Sequence, residues 1–272
     1  MRLVPESLTL EDTYHAATRV RSYEAGSNGR ISLGTLLRYL EYLATDASAE
    51  RGYDHEWYKR QGTAWVVREM SILLGALPGI DKQLAMATWL SEWRRVQAHR
   101  EYIVWNPQNG QVVARARGRW AYIDRHQGAP QRVPEEMLTR FDTMGNSMQV
   151  RKLDIVAPGD GPLVHNKLYL TARKYEADTN QHINNCVYGD WLAEALDETV
   201  TATSIFSTRT VMPRYYAIEY LQPVLPGDEL RIETAIAHAG SRRLIVEQHI
   251  LHNRSDTQIV RARSHHLLLP QT

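Results

Sequence analysis

One cysteine in 272 residues, Cys186, excludes an internal disulfide and a cysteine-rich zinc site, so the fold has to stand on packing. A reducing compartment is its natural setting. Excess charge is missing too. The 32 Lys and Arg nearly cancel the 31 Asp and Glu, and a net +1 gives no electrostatic footprint for nucleic acid. No run approaches the roughly 20 apolar residues that span a bilayer. The opening stretch "MRLVPESLTLEDTYH" carries Glu6, Glu11 and Asp12 without a long apolar segment, unlike a secretory signal or an acid-poor transit peptide. A soluble, cytoplasmic protein is expected, with neither membrane nor nucleic acid among its partners. G-x-S-x-G and a glycine-rich phosphate loop are also absent, and the histidines, His265-His266 included, lack Asp, Glu or Cys partners at ligand spacing. No metal and no cofactor are expected. What remains is average globular composition, 43% hydrophobic and 23% charged, enough for a real core in one large domain or two ordinary ones.

What is there is a repeat, the feature to seek before any motif. "YEAGSNGRIS" begins at Tyr23 and "YEADTNQHIN" at Tyr175, 152 residues later, with Tyr, Glu, Ala, Asn and Ile at matching places. "LPG" at Leu77 recurs at Leu225, and "RAR" at Arg115 recurs at Arg261. Three echoes in one order predict a duplicated domain: residues 1–140, a linker over 141–166 containing "APGDGP", and residues 167–272. In each copy an apolar stripe at helical spacing follows the "YEA" segment. In the first it runs through Leu33, Leu36, Leu37, Leu40, Leu43, Ala44 and Ala47; in the second, through Val187, Trp191, Leu192, Ala195, Leu196 and Val200. Strand-like runs then follow: "WVVREMSILL", "QLAMATWLSEW", "EYIVWN" and "QVVARARGRWAYI", then "YYAIEYLQPV", "ELRIETAIAH", "RLIVEQHILHN" and "QIVRARSHHLLL". Pro78-Gly79 and Pro226-Gly227 each suit the centre of a type II turn. Each half is thus a strand, one long helix and several antiparallel strands, an α+β class.

A helix wrapped by a curved antiparallel sheet is similar to the hot-dog arrangement, and particular segments carry the likeness further. "RVRSYEAGSNGRISLGTLLRYLEYLATDASAERG", "AWVVREM", "RARGRWAYID" and "YEADTNQHINNCVYGDWLAEAL" together resemble the acyl-acyl-carrier-protein thioesterases of the plant and bacterial fatty-acid type. The most specific element is D-x-N-x-H-x-N-N-x-x-Y-x-x-W, present as Asp178, Asn180, His182, Asn184, Asn185, Tyr188 and Trp191. The resemblance implies a tandem (double) hot-dog fold and hydrolysis of a fatty acyl thioester to free acid and carrier protein. Its partner is an acyl carrier protein bearing a 4'-phosphopantetheine acyl thioester. It also implies that the first half binds the acyl chain, so that Trp65 and Met70, core residues by pattern, touch substrate together with Asn184 and Asn185. Arginines from the set Arg94, Arg95, Arg115, Arg117, Arg119, Arg242 and Arg243 could form the docking surface for an acidic carrier. There are two departures, one being Cys186 inside the motif, where many relatives carry an apolar residue. Plant members place an acidic residue and a cysteine after a D-Y-R-R-like strand, where this chain has Pro223 and Val224, leaving the chemistry to the Asp-Asn-His group alone or with help from Gln222 or Glu219.

In the second copy, Asp178 is read as the general base for a water, with direct attack through an anhydride left open; His182 holds the water or shuttles a proton, and Asn180 orients. Helix N-terminal amides, expected between Asn180 and Asn185, stabilise the oxyanion. Simple capping explains Asp and Asn before a helix equally well. The duplication weighs against it, because the first copy has Gly26 and Arg30 where Asp178 and His182 stand, although capping is needed in both. Cys186, expected about one turn into the helix, is read as an inert small hydrophobe. The alternatives are an acyl-coenzyme A thioesterase of the same fold, a hydratase or dehydratase, and a non-catalytic acyl-thioester-binding protein. Two halves in one chain can form the pair that single hot dogs form as dimers, so a monomer suffices and a homodimer is a further option.

Overall fold

A leucine every third or fourth residue makes a helix only if something apolar waits beneath it, and in both copies a sheet does. The computed structural model describes residues 13–141, 143, 150, 163–203, 206, 208–238 and 242–270. It divides into two units, 1–150 and 151–272. Most of the expected linker, 141–166, lies outside the described residues. At its edges, Phe141 is buried in the core of the first unit and a strand already begins at Val164, inside the span read as linker.

The first unit runs β1 (Tyr14–Arg19), α1 (Leu33–Ala49), α2 (His55–Gln61), β2 (Thr63–Leu74), β3 (Gln83–Arg94), β4 (Gln97–Trp105), β5 (Val112–Asp124) and α3 (Glu135–Arg140). Its strands pair antiparallel in the order β1-β3-β4-β5-β2. The second runs β6 (Val164–Thr171), α4 (Val187–Thr201), β7 (Arg209–Tyr220), β8 (Glu229–His238), β9 (Arg243–His252) and β10 (Gln258–Pro270), paired antiparallel as β6-β8-β9-β10-β7. The two orders are the same order. Short antiparallel links and a helix on one face follow from the α+β pattern.

Helix α1 starts where the Ser32 hydroxyl accepts the Thr35 amide at 3.0 Å, an N-cap. Its expected stripe is the buried one: Leu36, Leu40 and Leu43 are at most 1% exposed. Each contributes about 1.5–3 kcal/mol by leaving water, and Leu40→Ala would cost about 2–5 kcal/mol. Helix α4 buries Val187, Tyr188, Trp191, Leu192, Ala195 and Leu196 in the same way. In the sheets, alternation sets the two faces; along β9, Leu244, Val246, Gln248 and Ile250 are buried while the residues between them are partly exposed.

The duplication extends to individual bonds. Arg117 opposes Glu101 across β5 and β4 and pairs with it, and Arg263 opposes Glu247 across β10 and β9 and pairs with it, 146 residues on. One echo, however, is out of register. The bond from the Ile31 amide to the Pro78 carbonyl is repeated from Ile183 to Val224, so Pro78 corresponds to Val224 and the two "LPG" triplets are displaced by two residues. The turns correct the expectation likewise. Leu225–Asp228 is closed by the Asp228 amide on the Leu225 carbonyl with Gly227 at φ 94°, as Pro-Gly predicts. In the first copy the closing bond runs from Lys82 to Gly79 and the positive φ falls on Asp81, at 64°. Pro78-Gly79 is instead pinned edge-on to the Gly29–Ile31 segment; a Cβ on Gly79 would stand 3.1 Å from the Gly29 carbonyl oxygen.

Candidate active site

The segment between β6 and α4 is built from its hydrogen bonds outward. The Glu176 carboxylate closes a single 3-10 turn by accepting the Arg173 amide at 2.6 Å, and its other oxygen accepts the Trp191 indole N–H of α4 at 3.2 Å. That residue ties the approach to the helix. A tight hairpin then follows: Ala177 bridges Ile183, the Asp178 amide donates to the His182 carbonyl at 2.8 Å, and the Gln181 amide donates to the Asp178 carbonyl at 3.0 Å. Asp178 and His182 are therefore backbone partners at the base of a three-residue loop, at cross-strand spacing. Gln181 takes the left-handed conformation, φ 63°, where the first copy has Gly29 at φ 70°.

The Asp178 carboxylate is held from one side by Asn180. Asn180 donates its backbone amide to Oδ1 at 2.7 Å and its side-chain amide to Oδ2 at 3.2 Å. That is an orienting role for a group that cannot titrate. Asp178 and His182 are partly exposed and Asn180 is exposed. In the first copy the same hairpin closes, from the Gly26 amide to the Arg30 carbonyl at 2.9 Å, but Asn28 only accepts the Arg30 amide and Arg30 reaches away to the Leu77 carbonyl. The backbone is common to both copies; the carboxylate and imidazole belong to one.

Helix α4 begins later than expected. The chain turns at Asn184, whose side-chain oxygen accepts the Cys186 amide at 2.8 Å, and α4 proper starts at Val187. Asn184, expected to bind substrate, uses its side-chain oxygen in an Asx turn two residues before the N-cap of α4, at the position that Ser32, the N-cap of α1, holds in the first copy. Within the stretch expected to hold an oxyanion, the amides of Asn180, Gln181, Ile183 and Asn184 are already bonded, to the Asp178 carboxylate and to the Asp178, Val224 and Glu176 carbonyls. Donors for an oxyanion must come from elsewhere in the loop, with the partly exposed Asn185 adjacent. Cys186 sits at the mouth of the helix rather than one turn into it, and is buried at 3% exposure.

Tyr188 is the residue that sequence reasoning passed over. It is buried, packs edge-on against Trp191 and Tyr220, and its hydroxyl meets the Val224 backbone amide. Burial pushes its pKa up, and the charges of Asp178 and Asp228 push it further, so it stays protonated beneath the hairpin. Its place in the motif was the available signal. Val224 is wholly buried and its carbonyl clamps the Ile183 amide, which gives this position a structural duty; of the two suggested helpers, Gln222 and Glu219, the second is paired with Arg261.

In the first unit, Trp65 packs against Trp93 and Tyr122 at centroid distances of 5.9 and 5.1 Å, and Met70 is buried at 4% exposure. Several arginines of the expected docking set are already occupied: Arg94 and Arg117 meet Glu92, Arg117 also meets Glu101, and Arg119 meets Glu69. No cluster of metal-binding side chains occurs among the described residues.

Two family models match this chain in tandem: the acyl-ACP thioesterase N-terminal domain over residues 11–141 and the thioesterase-like superfamily over 172–270. Among curated proteins, an acyl-[acyl-carrier-protein] hydrolase of Cuphea viscosissima is 24% identical over 260 residues, covering 90% of this chain and 59% of the relative. A palmitoyl-acyl carrier protein thioesterase of Gossypium hirsutum is also 24% identical, covering 90% and 61%. The chain thus spans about three fifths of the length of these relatives. Among solved structures, an acyl-ACP thioesterase from Bacteroides thetaiotaomicron aligns with TM-score 0.74 at 19% identity, covering 95% of this chain and 98% of that one. A 12:0-ACP thioesterase from Umbellularia californica aligns with TM-score 0.75 at 17% identity, covering 95% and 94%. These likenesses establish the tandem hot-dog fold.

Proposed function

The chain belongs to the acyl-ACP thioesterase family, and from that premise we propose that it hydrolyses a fatty acyl thioester carried on acyl carrier protein, releasing the fatty acid and the carrier thiol. Asp178 takes a proton from water as the water oxygen bonds to the thioester carbonyl carbon. Asn180 fixes the carboxylate, and His182, its backbone partner, holds the water. Collapse of the tetrahedral intermediate breaks the carbon–sulfur bond, and the abstracted proton returns to the departing thiolate. Tyr188, kept protonated by burial, packs against Trp191 and Tyr220 and meets Val224, whose carbonyl holds the Ile183 amide at the end of the hairpin. A cytoplasmic location is part of the proposal, resting on the single buried cysteine.

One observation carries the reading. The same hairpin is built twice, and only the second bears Asp and His, which capping alone does not require. The test is release of free thiol, with mass spectrometry of the acid, from a panel of acyl-carrier-protein and acyl-coenzyme A substrates. Turnover that favours the carrier protein, survives Cys186→Ala and falls by about 10²–10⁴ in Asp178→Asn is expected. Equal or better turnover of coenzyme A esters would transfer the assignment to that substrate class, and binding without turnover would end the catalytic one.

A further inference from the structure

Strand β4 turns Ala98, Arg100, Tyr102 and Val104 to one face, and all four are buried. Arg100 is out of keeping with its companions. The residue is 8% exposed, and among the described residues its one side-chain hydrogen bond is a long one, from Nη1 to the Thr88 hydroxyl at 3.4 Å. No carboxylate pairs with it, and no aromatic ring stacks under it, among the described residues. The titratable groups that act on it are Tyr58, Tyr102 and a second cation, Arg51. A guanidinium does not give up its proton in a protein, and a buried charge without a counter-charge is costly.

The second copy supplies an internal control. Arg100 lies opposite Gly118 and Val246 lies opposite Ser264, each pair 146 residues from the other, so Val246 occupies the same place. It is wholly buried. The fold therefore needs only an apolar side chain here. Around Arg100 the surroundings are apolar and aromatic: Leu90 directly across from it, Ala98 beside it, and Trp65, Trp93 and Tyr122 in the adjoining cluster. A cation in such a setting calls for a ligand with one anionic group and a hydrocarbon body.

We propose that Arg100, held by the Thr88 hydroxyl that itself donates to the Glu101 carbonyl, binds the carboxylate of an aliphatic ligand inside the N-terminal unit, an inference that does not rest on the hydrolysis proposed above. The bidentate fork of a guanidinium matches a carboxylate, and a water-poor setting strengthens the pair.

The test is binding to the full chain of dodecanoate, dodecanol and inorganic phosphate, followed by tryptophan fluorescence and by shift of the melting temperature. The native protein should bind dodecanoate at least about tenfold more tightly than dodecanol, since hydrogen bonds to a charged group exceed neutral ones by that order. Arg100→Val, which installs the second copy's residue, should melt no lower than native without ligand and should erase the preference for the acid while keeping affinity for the alcohol. Native protein that binds acid and alcohol alike, or an Arg100→Val variant that keeps the preference, would overturn the proposal. Phosphate that competes as strongly as dodecanoate would overturn the aliphatic part of it. Should the variant fail to fold, the native comparison of acid, alcohol and phosphate still decides.

Discussion

Single side chains in this protein do their work through what they bond. Asn184 is the clearest case: its oxygen holds the Cys186 amide in an Asx turn, so Asn184→Ala should lower stability by about 1 kcal/mol, the worth of one such hydrogen bond, whatever it does to turnover. A urea melt measures this, and Asn184→Ser, which retains a side-chain acceptor for the turn, should recover most of the loss. His266 makes a prediction in pH. It is 1% exposed on the helix-facing side of β10, its Nε2 shares a hydrogen with the Ser264 hydroxyl at 2.8 Å, and burial pushes its pKa down to about 3. The unfolded chain binds a proton at this residue below about pH 6.5 while the folded chain does not. Stability contributed by the neutral ring is therefore present above pH 6.5 and is lost as pH falls from there toward 3, at up to about 1.4 kcal/mol per unit. His266→Phe should flatten the slope of unfolding free energy against pH between about 4.5 and 6.5. An aromatic ring fits, because Trp120 holds the matching place in the first copy.

Elements show which patterns a sequence can carry. Both long helices sit where their apolar stripes put them, because seven or so residues at one spacing outvote local exceptions. Helix α2 was invisible: seven residues, "HEWYKRQ", give too few turns for a period, and it is held by packing of Trp57 and Tyr58 against the cluster around Tyr53. The hairpin was half legible. Its residues were marked by the repeat, but Asx turns at Asp178 and Asn184 moved the start of α4 to Val187, and no periodicity records a side chain bonding its own backbone. Gln181 at φ 63° carries the strain that Gly29 avoids, so Gln181→Gly should be neutral or stabilising by up to about 1 kcal/mol, and Gln181→Val destabilising, in the same melts. The repeated ion pair should behave differently in its two settings. Glu101 is fully buried and pairs with Arg117, itself 29% exposed and also held by Glu92, so Glu101→Gln should cost about 1–3 kcal/mol; Glu247 is a third exposed, and Glu247→Gln should cost under about 1 kcal/mol.

At the scale of the whole molecule, duplication separates what the fold needs from what the chemistry needs. Positions alike in both copies, such as the two Glu clamps on Tyr39 and Trp191, belong to the architecture. Positions that differ while the backbone stays the same are free for other uses. The double substitution Asp178→Gly with His182→Arg converts the second hairpin to the first copy's residues, which fold there with the same backbone bonds. It should leave the melting temperature within a few degrees, because Asp178 and Asn180 bond each other at the surface. Hydrolysis should fall by 10² or more, the usual contribution of a positioned base. A variant that unfolds would make these two residues architectural after all. One that folds and still turns over substrate would place the chemistry outside this hairpin.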